Sequence, residues 1–539
     1  MIIKKILIVV LAWFLLSHNV LADNCQNQSS ESGQKTNPGS IGKIDLKQKV
    51  DEILAEIYDA NFFNVAACHQ YIDQRTSVAY LTSTSEFILP AQGNQEQSLE
   101  IINNLFKIRL ALHEKLREFD GAGTIGAACV NSIREANQFI RFAEEYLMEW
   151  GRFDGELDQL EKAAGSPLSF LSVEKPHKMV NEERFGNNPE LKTGDVLVIR
   201  GNANVSAMIA RLGDEESIFS HSAIVGEDQD NKKYIVEALI PKGLIYTPVD
   251  QWLRETRDAR VAVYRFNDEA MAQKAGRAIY RYAMDKGKTA PYDFAMDESD
   301  RAMFFCSEVA QYGYWLASDG DIVLPKHRTA ACKLRTSTSF FDDMGIKTEG
   351  SLFSPADIEV DPRFELVLDF RDISANRLLQ ARRKDAVLQS IYQWMTRESE
   401  KDRYNFYSTP KYFLLGTFAK IVRQFGVGAE IFPKHIPFNT LQTLLRYEDV
   451  AKILLKNLEE IENDRKAGSP SLSFRDLMTA NEQFREADCK KYYPGLGVST
   501  ENQVYGVVQP GGYFYLPVQN KPVRDTSEFH DFFRGTCSS

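Results

Sequence analysis

Phe219-Ser220-His221-Ser222-Ala223-Ile224-Val225 and, beyond the polar turn Asp228-Gln229-Asp230-Asn231, Tyr234-Ile235-Val236-Glu237-Ala238 form the stretch on which the fold turns. Both runs are apolar and rich in β-branched residues, and turn formers separate them, so the sequence predicts an antiparallel hairpin. A turn centred on Gln229 sets His221 opposite Glu237, and residues directly opposite across an antiparallel pair point to the same face. An imidazole then shares a face with a carboxylate. From the pattern alone Glu237 has two readings. Either it faces water on an edge strand, or it is buried, where a carboxylate is costly unless something bonds to it.

Other short β-rich runs surround the hairpin: Val196-Leu197-Val198-Ile199, Leu244 to Tyr246 and Arg260 to Tyr264. Helical stretches follow at about 267–287 and 305–317. Strands followed by helices imply an α+β domain over residues 190–370. Upstream, residues 45–170 read as a helical bundle. Leu46, Val50, Ile53, Leu54 and Ile57 fall on one helical face, as do Ile101, Leu105, Ile108, Leu112 and Leu116, and again Ile133, Ala136, Ile140, Ala143 and Leu147. Downstream, helical periodicity returns over 375–488, with Val450, Leu454, Leu458 and Ile461 as one stripe. The aromatic and apolar stretch from Tyr412-Phe413-Leu414-Leu415 to Ile431-Phe432 reads as packing between domains, as cover for a greasy substrate, or as peripheral contact with a membrane surface. The tail, 489–539, combines Gly, Pro and Tyr with short extended runs and is expected to be held by its cysteines.

The first 22 residues have the order of a secretory signal peptide: Lys4 and Lys5, the apolar run Ile6 to Leu16, then Val20-Leu21-Ala22 as a small-residue cleavage site. The run is shorter than the roughly 20 apolar residues a spanning helix needs. Asp23 and Asn24 precede Cys25, where a lipoprotein box would place a small apolar residue, so a lipid anchor there is not expected. Residues 23–44, rich in Asn, Ser, Gln and Gly, read as a flexible tether. The expected location is outside the cytoplasm, periplasmic or secreted. The formal net charge is −11, and removal of Lys4 and Lys5 takes it to −13. So acidic a chain, with no basic patch, repels phosphate backbones, which argues against a nucleic-acid partner. There is no histidine pair at i, i+4 with a nearby Glu, no CxxC pair and no phosphate-cradling glycine loop, so no metal or cofactor is expected.

Seven cysteines stand at 25, 68, 129, 306, 332, 489 and 537. In an oxidising compartment an odd count leaves one thiol unpaired. Position suggests Cys68 with Cys129 and Cys489 with Cys537, although spacing alone fixes no connectivity. Cys306 lies in Phe304-Phe305-Cys306-Ser307-Glu308-Val309-Ala310 and opens a helical run. A helix N-terminus favours thiolate, and thiolate is the nucleophilic form. An inert cysteine buried beside two phenylalanines would read the same way.

Thr193-Gly194-Asp195-Val196-Leu197, Phe219 to Val225, Ile235 to Ala238, Tyr292-Asp293-Phe294 and Phe305-Cys306-Ser307-Glu308 occur in that order, followed by Ser354-Pro355-Ala356-Asp357-Ile358. Together they resemble the circularly permuted papain-like cysteine hydrolases, the YiiX/YebB and YaeF-like branch of the NlpC-type superfamily, over residues 190–370. In ordinary papain-like enzymes the cysteine comes first; here His221 precedes Cys306, as in the permuted branch. The resemblance implies a papain-like core flanked by N- and C-terminal helical regions. It implies Cys306 as nucleophile, His221 as general base and then acid, and Glu237 as the residue that holds the ring. The backbone N–H of Cys306 would be the first oxyanion donor. Tyr292 would be a second donor, a residue lining the substrate pocket, or an ordinary packed tyrosine. Asp195 and Asp293 read as turn or capping residues, and Ser307 and Glu308 as a helix start. Three functions are compatible with this pattern. The first is a hydrolase of an N-acyl, lipid-linked or cell-wall peptide amide. The second is a phospholipase or acyltransferase using the same triad. The third is a non-enzymatic secreted binding or scaffold protein, which a Cys306–Cys332 disulfide would favour.

Overall fold

The computed structural model describes residues 43–58, 87–396 and 436–492 apart from scattered positions within them, together with 416–417 and short strands at 506–509 and 512–515. The expected signal peptide, nearly all of the expected tether and of the aromatic stretch 412–432, and most of the tail lie outside the described residues.

Among the described residues three helices come first: α1 (Leu46–Ile57), α2 (Gln95–Gly121) and α3 (Ala127–Trp150). Asp45 caps α1 by accepting from the Gln48 N–H, and Asn94 caps α2 by accepting from that of Gln97. The predicted stripes face inward, with Val50 and Ile53, Leu105 and Leu116, and Ala136 and Ile140 all buried.

The centre of the molecule is built from β1 (Lys178–Val180), β2 (Val196–Arg200), α4 (Asn204–Ala210), β3 (His221–Glu227), β4 (Lys233–Leu239), β5 (Gly243–Pro248), α5 (Val249–Glu255), β6 (Arg260–Phe266), α6 (Glu269–Lys286), α7 (Cys306–Ala317) and β7 (Phe364–Arg371). The strands form one sheet in the order β1-β7-β6-β2-β3-β4-β5, every neighbour antiparallel. Alternation along a strand divides its side chains between two faces. Val196 and Val198 enter a core shared with α6, α7 and the N-terminal helices, whereas Leu197 and Ile199 enter one containing Phe170, Trp252 and Phe370. The architecture is α+β. Gly194 explains the first motif: its φ is +89°, and a Cβ there would lie 2.2 Å from the Ala272 carbonyl oxygen. No side chain fits.

Strands β1 and β7 gave no signal in the sequence. All of Phe364-Glu365-Leu366-Val367-Leu368-Asp369-Phe370-Arg371 is buried, charges included. Those charges meet partners from other elements. Arg260 on β6 reaches Asp369 at 2.9 Å, Glu144 at 2.9 Å and Glu145 at 2.8 Å. Arg109 on α2 bonds Asp369 and Glu359, and Arg371 lies 3.2 Å from Glu144. Ions removed from water need this pairing, since an uncompensated buried charge costs several kcal/mol. The sheet and the N-terminal helices are thereby joined by charge as well as by apolar contact.

Helices α8 (Arg377–Thr396), α9 (Phe438–Asn463) and α10 (Phe474–Tyr492) follow. With α4 they enclose a further core containing Met208, Leu388, Trp394, Leu454 and Leu477. The predicted stripe on α9 packs into it, with Val450, Leu454 and Leu458 buried and Ile461 at its margin. Among the described residues, no helix is long and apolar enough to cross a membrane.

Candidate active site

The hairpin forms, but in a register two residues from the one a turn on Gln229 gives. Glu237 pairs with Ala223, and His221 is diagonal to it. The physical reason is the turn: the Asp228 carboxylate accepts from the N–H groups of Asp230 and Lys232, both at 2.9 Å, and Asn231 takes a left-handed φ of 61°. The reversal therefore centres one position later. A shift of two preserves the face of every side chain. His221 Nε2 lies 2.7 Å from Glu237 Oε2.

Glu237 is not on an edge. Strand β4 lies between β3 and β5, the residue is 4% exposed, and its second oxygen accepts from Trp252 Nε1–H at 3.1 Å. Trp252 had no signal in the sequence; it arrives from α5, and only a buried indole N–H in need of an acceptor hinted at a role.

Cys306 is a buried free thiol and the first residue of α7. Its sulfur lies 4.0 Å from the Ser220 carbonyl oxygen, and its own carbonyl accepts from Ser222 Oγ at 3.2 Å. Ser222 and His221 point to opposite faces of β3. The cysteine helix therefore packs on one face while the imidazole belongs to the other, and the two meet at the first residue of the strand, close enough for thiol and ring to shift each other's protonation. Since Nε2 faces Glu237, Nδ1 is the nitrogen left for sulfur.

The electrostatics favour an ion pair. Burial pushes the Cys306 thiol up, but the hydrogen bond and charge of His221 outweigh it and the thiol lies below its ordinary value. Burial pulls His221 down, yet its bonds to Cys306 and Glu237 push it up to about 10. Opposite charges at contact favour each other's charged form. Asp258, just before β6, is a further titratable group of this corner that sequence reading missed, because nothing marks an isolated aspartate. Burial pushes it up to about 7, the His221 charge opposes the shift, and Glu237 adds to it.

Tyr292 is 3% exposed. Its backbone bridges that of Phe304, and the Asp293 N–H donates to the Phe304 carbonyl at 3.0 Å, so this loop runs beside the residues leading into α7. The Tyr292 hydroxyl lies near Cys306; burial and the neighbouring sulfur hold it well above the usual tyrosine range. The N–H expected to receive an oxyanion thus has a second donor beside it.

The remaining motif residues hold structure. Asp293 accepts from the N–H groups of Ala295 and Asp297 at 2.8 and 2.6 Å. Asp195 accepts from the Lys192 N–H at 2.7 Å and pairs with Arg265 at 2.8 Å. Ser354 and Asp357 form a reciprocal cap, and Asp357 also binds Arg134 at 2.7 Å. Glu308 pairs with Arg301 at 2.8 Å. Cys129 and Cys332 are each disulfide-bonded, and Cys306 is not joined to Cys332. Cys68 and Cys537, the expected partners of Cys129 and Cys489, lie outside the described residues. Among the described residues no group of three or more His, Cys, Asp or Glu side chains is placed to hold a metal ion.

Residues 190–331 match the family of permuted papain-like amidase enzymes, YaeF/YiiX, C92. No curated protein matches the chain. The amidase-like segment contains His221, Glu237, Asp258, Tyr292 and Cys306. It leaves out the N-terminal helices, β7 and all of α8 to α10.

Proposed function

We propose that this chain is an exported cysteine amidase in which Cys306, His221 and Glu237 act as a triad. The observation that carries the reading is the position of one imidazole, bonded at Nε2 to a buried carboxylate and set beside a buried free thiol. The match to amidases over the same residues supports the reaction type.

The Cys306 thiolate attacks the amide carbonyl carbon. A carbon–sulfur bond forms, and the carbonyl electron pair moves to oxygen, where the Cys306 N–H and the Tyr292 hydroxyl are the donors available. Collapse of this intermediate expels the amine, which takes the proton from the imidazolium. His221, now neutral, removes a proton from water as the water adds to the thioester. Collapse releases the carboxylic acid and regenerates thiolate and imidazolium. Throughout, Glu237 keeps the ring oriented and stabilises its positive charge, and Trp252 holds Glu237 in turn. The N-terminal Lys4-Lys5, apolar run and Val20-Leu21-Ala22 support export.

The test is an acyl-amide substrate panel together with a thiol-directed acyl probe. The parent protein is labelled once, at Cys306, and Cys306→Ala loses both labelling and hydrolysis. Hydrolysis that survives in Cys306→Ala removes the proposal. Fractionation of the producing cell checks export; intact leader in the cytoplasm counts against it.

A further inference from the structure

A cavity of about 680 Å³ shares Tyr292 with the candidate active site, while Cys306 and His221 are not among the residues that line it. Tyr292, whose loop runs beside the residues leading into Cys306, belongs to its wall, which continues through Phe294 and Met296 of the same loop. The facing wall comes from α4, α8 and α9 through residues such as Met208, Leu388 and Leu455. Helices α8 and α9 lie beyond the segment that matches the amidases, so this chain's own C-terminal region completes the cavity.

Its volume falls within the roughly 300–1,000 Å³ typical of small-molecule sites. Apart from the unpartnered Oδ1 of Asn204, the charged and amide groups named next are engaged with protein. Asn204 and Lys452 both bind Glu448, at 2.8 and 3.6 Å, and Lys384 Nζ donates to the Asn202 carbonyl. A peptide in this space would bury amide groups with few partners, which is strongly unfavourable. A hydrocarbon chain carries no such groups and gains from each methylene removed from water.

We propose that the cavity receives the acyl chain of the substrate, with the scissile carbonyl at Cys306 and the chain running past Phe294 and Met296. The inference rests on the amidase reading above and narrows it: the substrates are long-chain acyl compounds rather than cell-wall peptides.

The experiment uses the full-length mature protein and p-nitrophenyl esters from acetyl to hexadecanoyl as chromogenic acyl donors. Each added methylene is expected to raise kcat/KM roughly fourfold until the cavity is filled. Leu444→Trp and Leu455→Trp, at two half-buried positions of the wall, each narrow the cavity. The dodecanoyl-to-acetyl ratio of kcat/KM should drop at least tenfold in both. An unchanged ratio in both variants, or a flat chain-length profile in a protein whose Cys306 is active, overturns the cavity assignment and leaves the amidase reading standing. If instead Cys306→Ala hydrolyses the esters like the parent, the triad is wrong. The cavity is then decided by equilibrium binding of 11-(dansylamino)undecanoic acid to the Cys306→Ala protein. Binding that Leu455→Trp weakens supports an acyl site, and absent or unaltered binding overturns it.

Discussion

Two charge clusters lie on different parts of one sheet, and they are built on opposite plans. Around Arg260, which is fully buried, partners are shared: one guanidinium meets Glu144, Glu145 and Asp369, and Asp369 also takes Arg109. Asp369 is correspondingly held far below the usual carboxylate range; burial opposes this, but the charges of Arg260 and Arg109 prevail. At the His221 corner, one ring meets one carboxylate and one thiol, and its side chain remains 18% exposed. Arginine does not give up its proton in proteins, whereas an imidazole and a thiol exchange theirs readily. The first plan fixes charge in place, and the second leaves a proton free to move. Redundancy belongs to structure here, and sparseness to chemistry.

The largest effect should come from removing the basic group beside the thiol. His221→Ala is expected to lower kcat/KM on the order of 10⁴-fold. It should also move the pH profile of Cys306 alkylation by iodoacetamide upward, because burial without the imidazolium raises a thiol. In the parent, alkylation persists below the ordinary thiol value and fades only as acid protonates the thiolate. A profile that stays put in His221→Ala would dissolve the ion pair. Arg260→Ala should next cost about 3–5 kcal/mol of folding stability, since it strands buried carboxylates. Urea denaturation measures this, and a loss under about 1 kcal/mol would mean that the network is not an anchor.

Glu237→Gln keeps the shape but removes the charge that supports imidazolium. A tenfold to hundredfold loss in kcat is expected, roughly 1.5–3 kcal/mol for a charged hydrogen bond. A loss equal to that of His221→Ala would show a collapsed site rather than a weakened one. The smallest effect should follow Asp258→Asn. Above about pH 7 this group carries a negative charge near His221, which favours the protonated ring. Its removal should lower the alkaline limb of the activity profile by under about one unit. A limb that rises would reverse the assigned sign.

Much of the corner was legible because strand parity survives an error of two in register. His221 and Glu237 stay on one face whether the turn centres on Gln229 or one residue later, and Cys306 opens its helix as its neighbours predicted. The neighbours of Cys306, Ser220 and Ser222, were in view but carried no distinguishing pattern. The charge network was not legible at all. Arg109, Glu144 and Glu145 look like solvated helix positions, and Glu365, Asp369 and Arg371 read against a buried strand, because each is intelligible only from residues more than a hundred positions away. Trp252 is only 15 positions from Glu237; it and Asp258 were hidden because no local pattern marks them.

The place of β7 bears on how small a working piece of this molecule can be. Phe364–Arg371 runs between β1 and β6 in the interior of the sheet, although it begins 33 residues after the amidase-like segment ends at 331. A fragment cut to that segment would leave the backbone donors and acceptors of Arg260–Phe266 open along one side, a template for pairing with another chain. Such a fragment should precipitate or associate edge to edge, even though it retains the cysteine, the histidine and the glutamate.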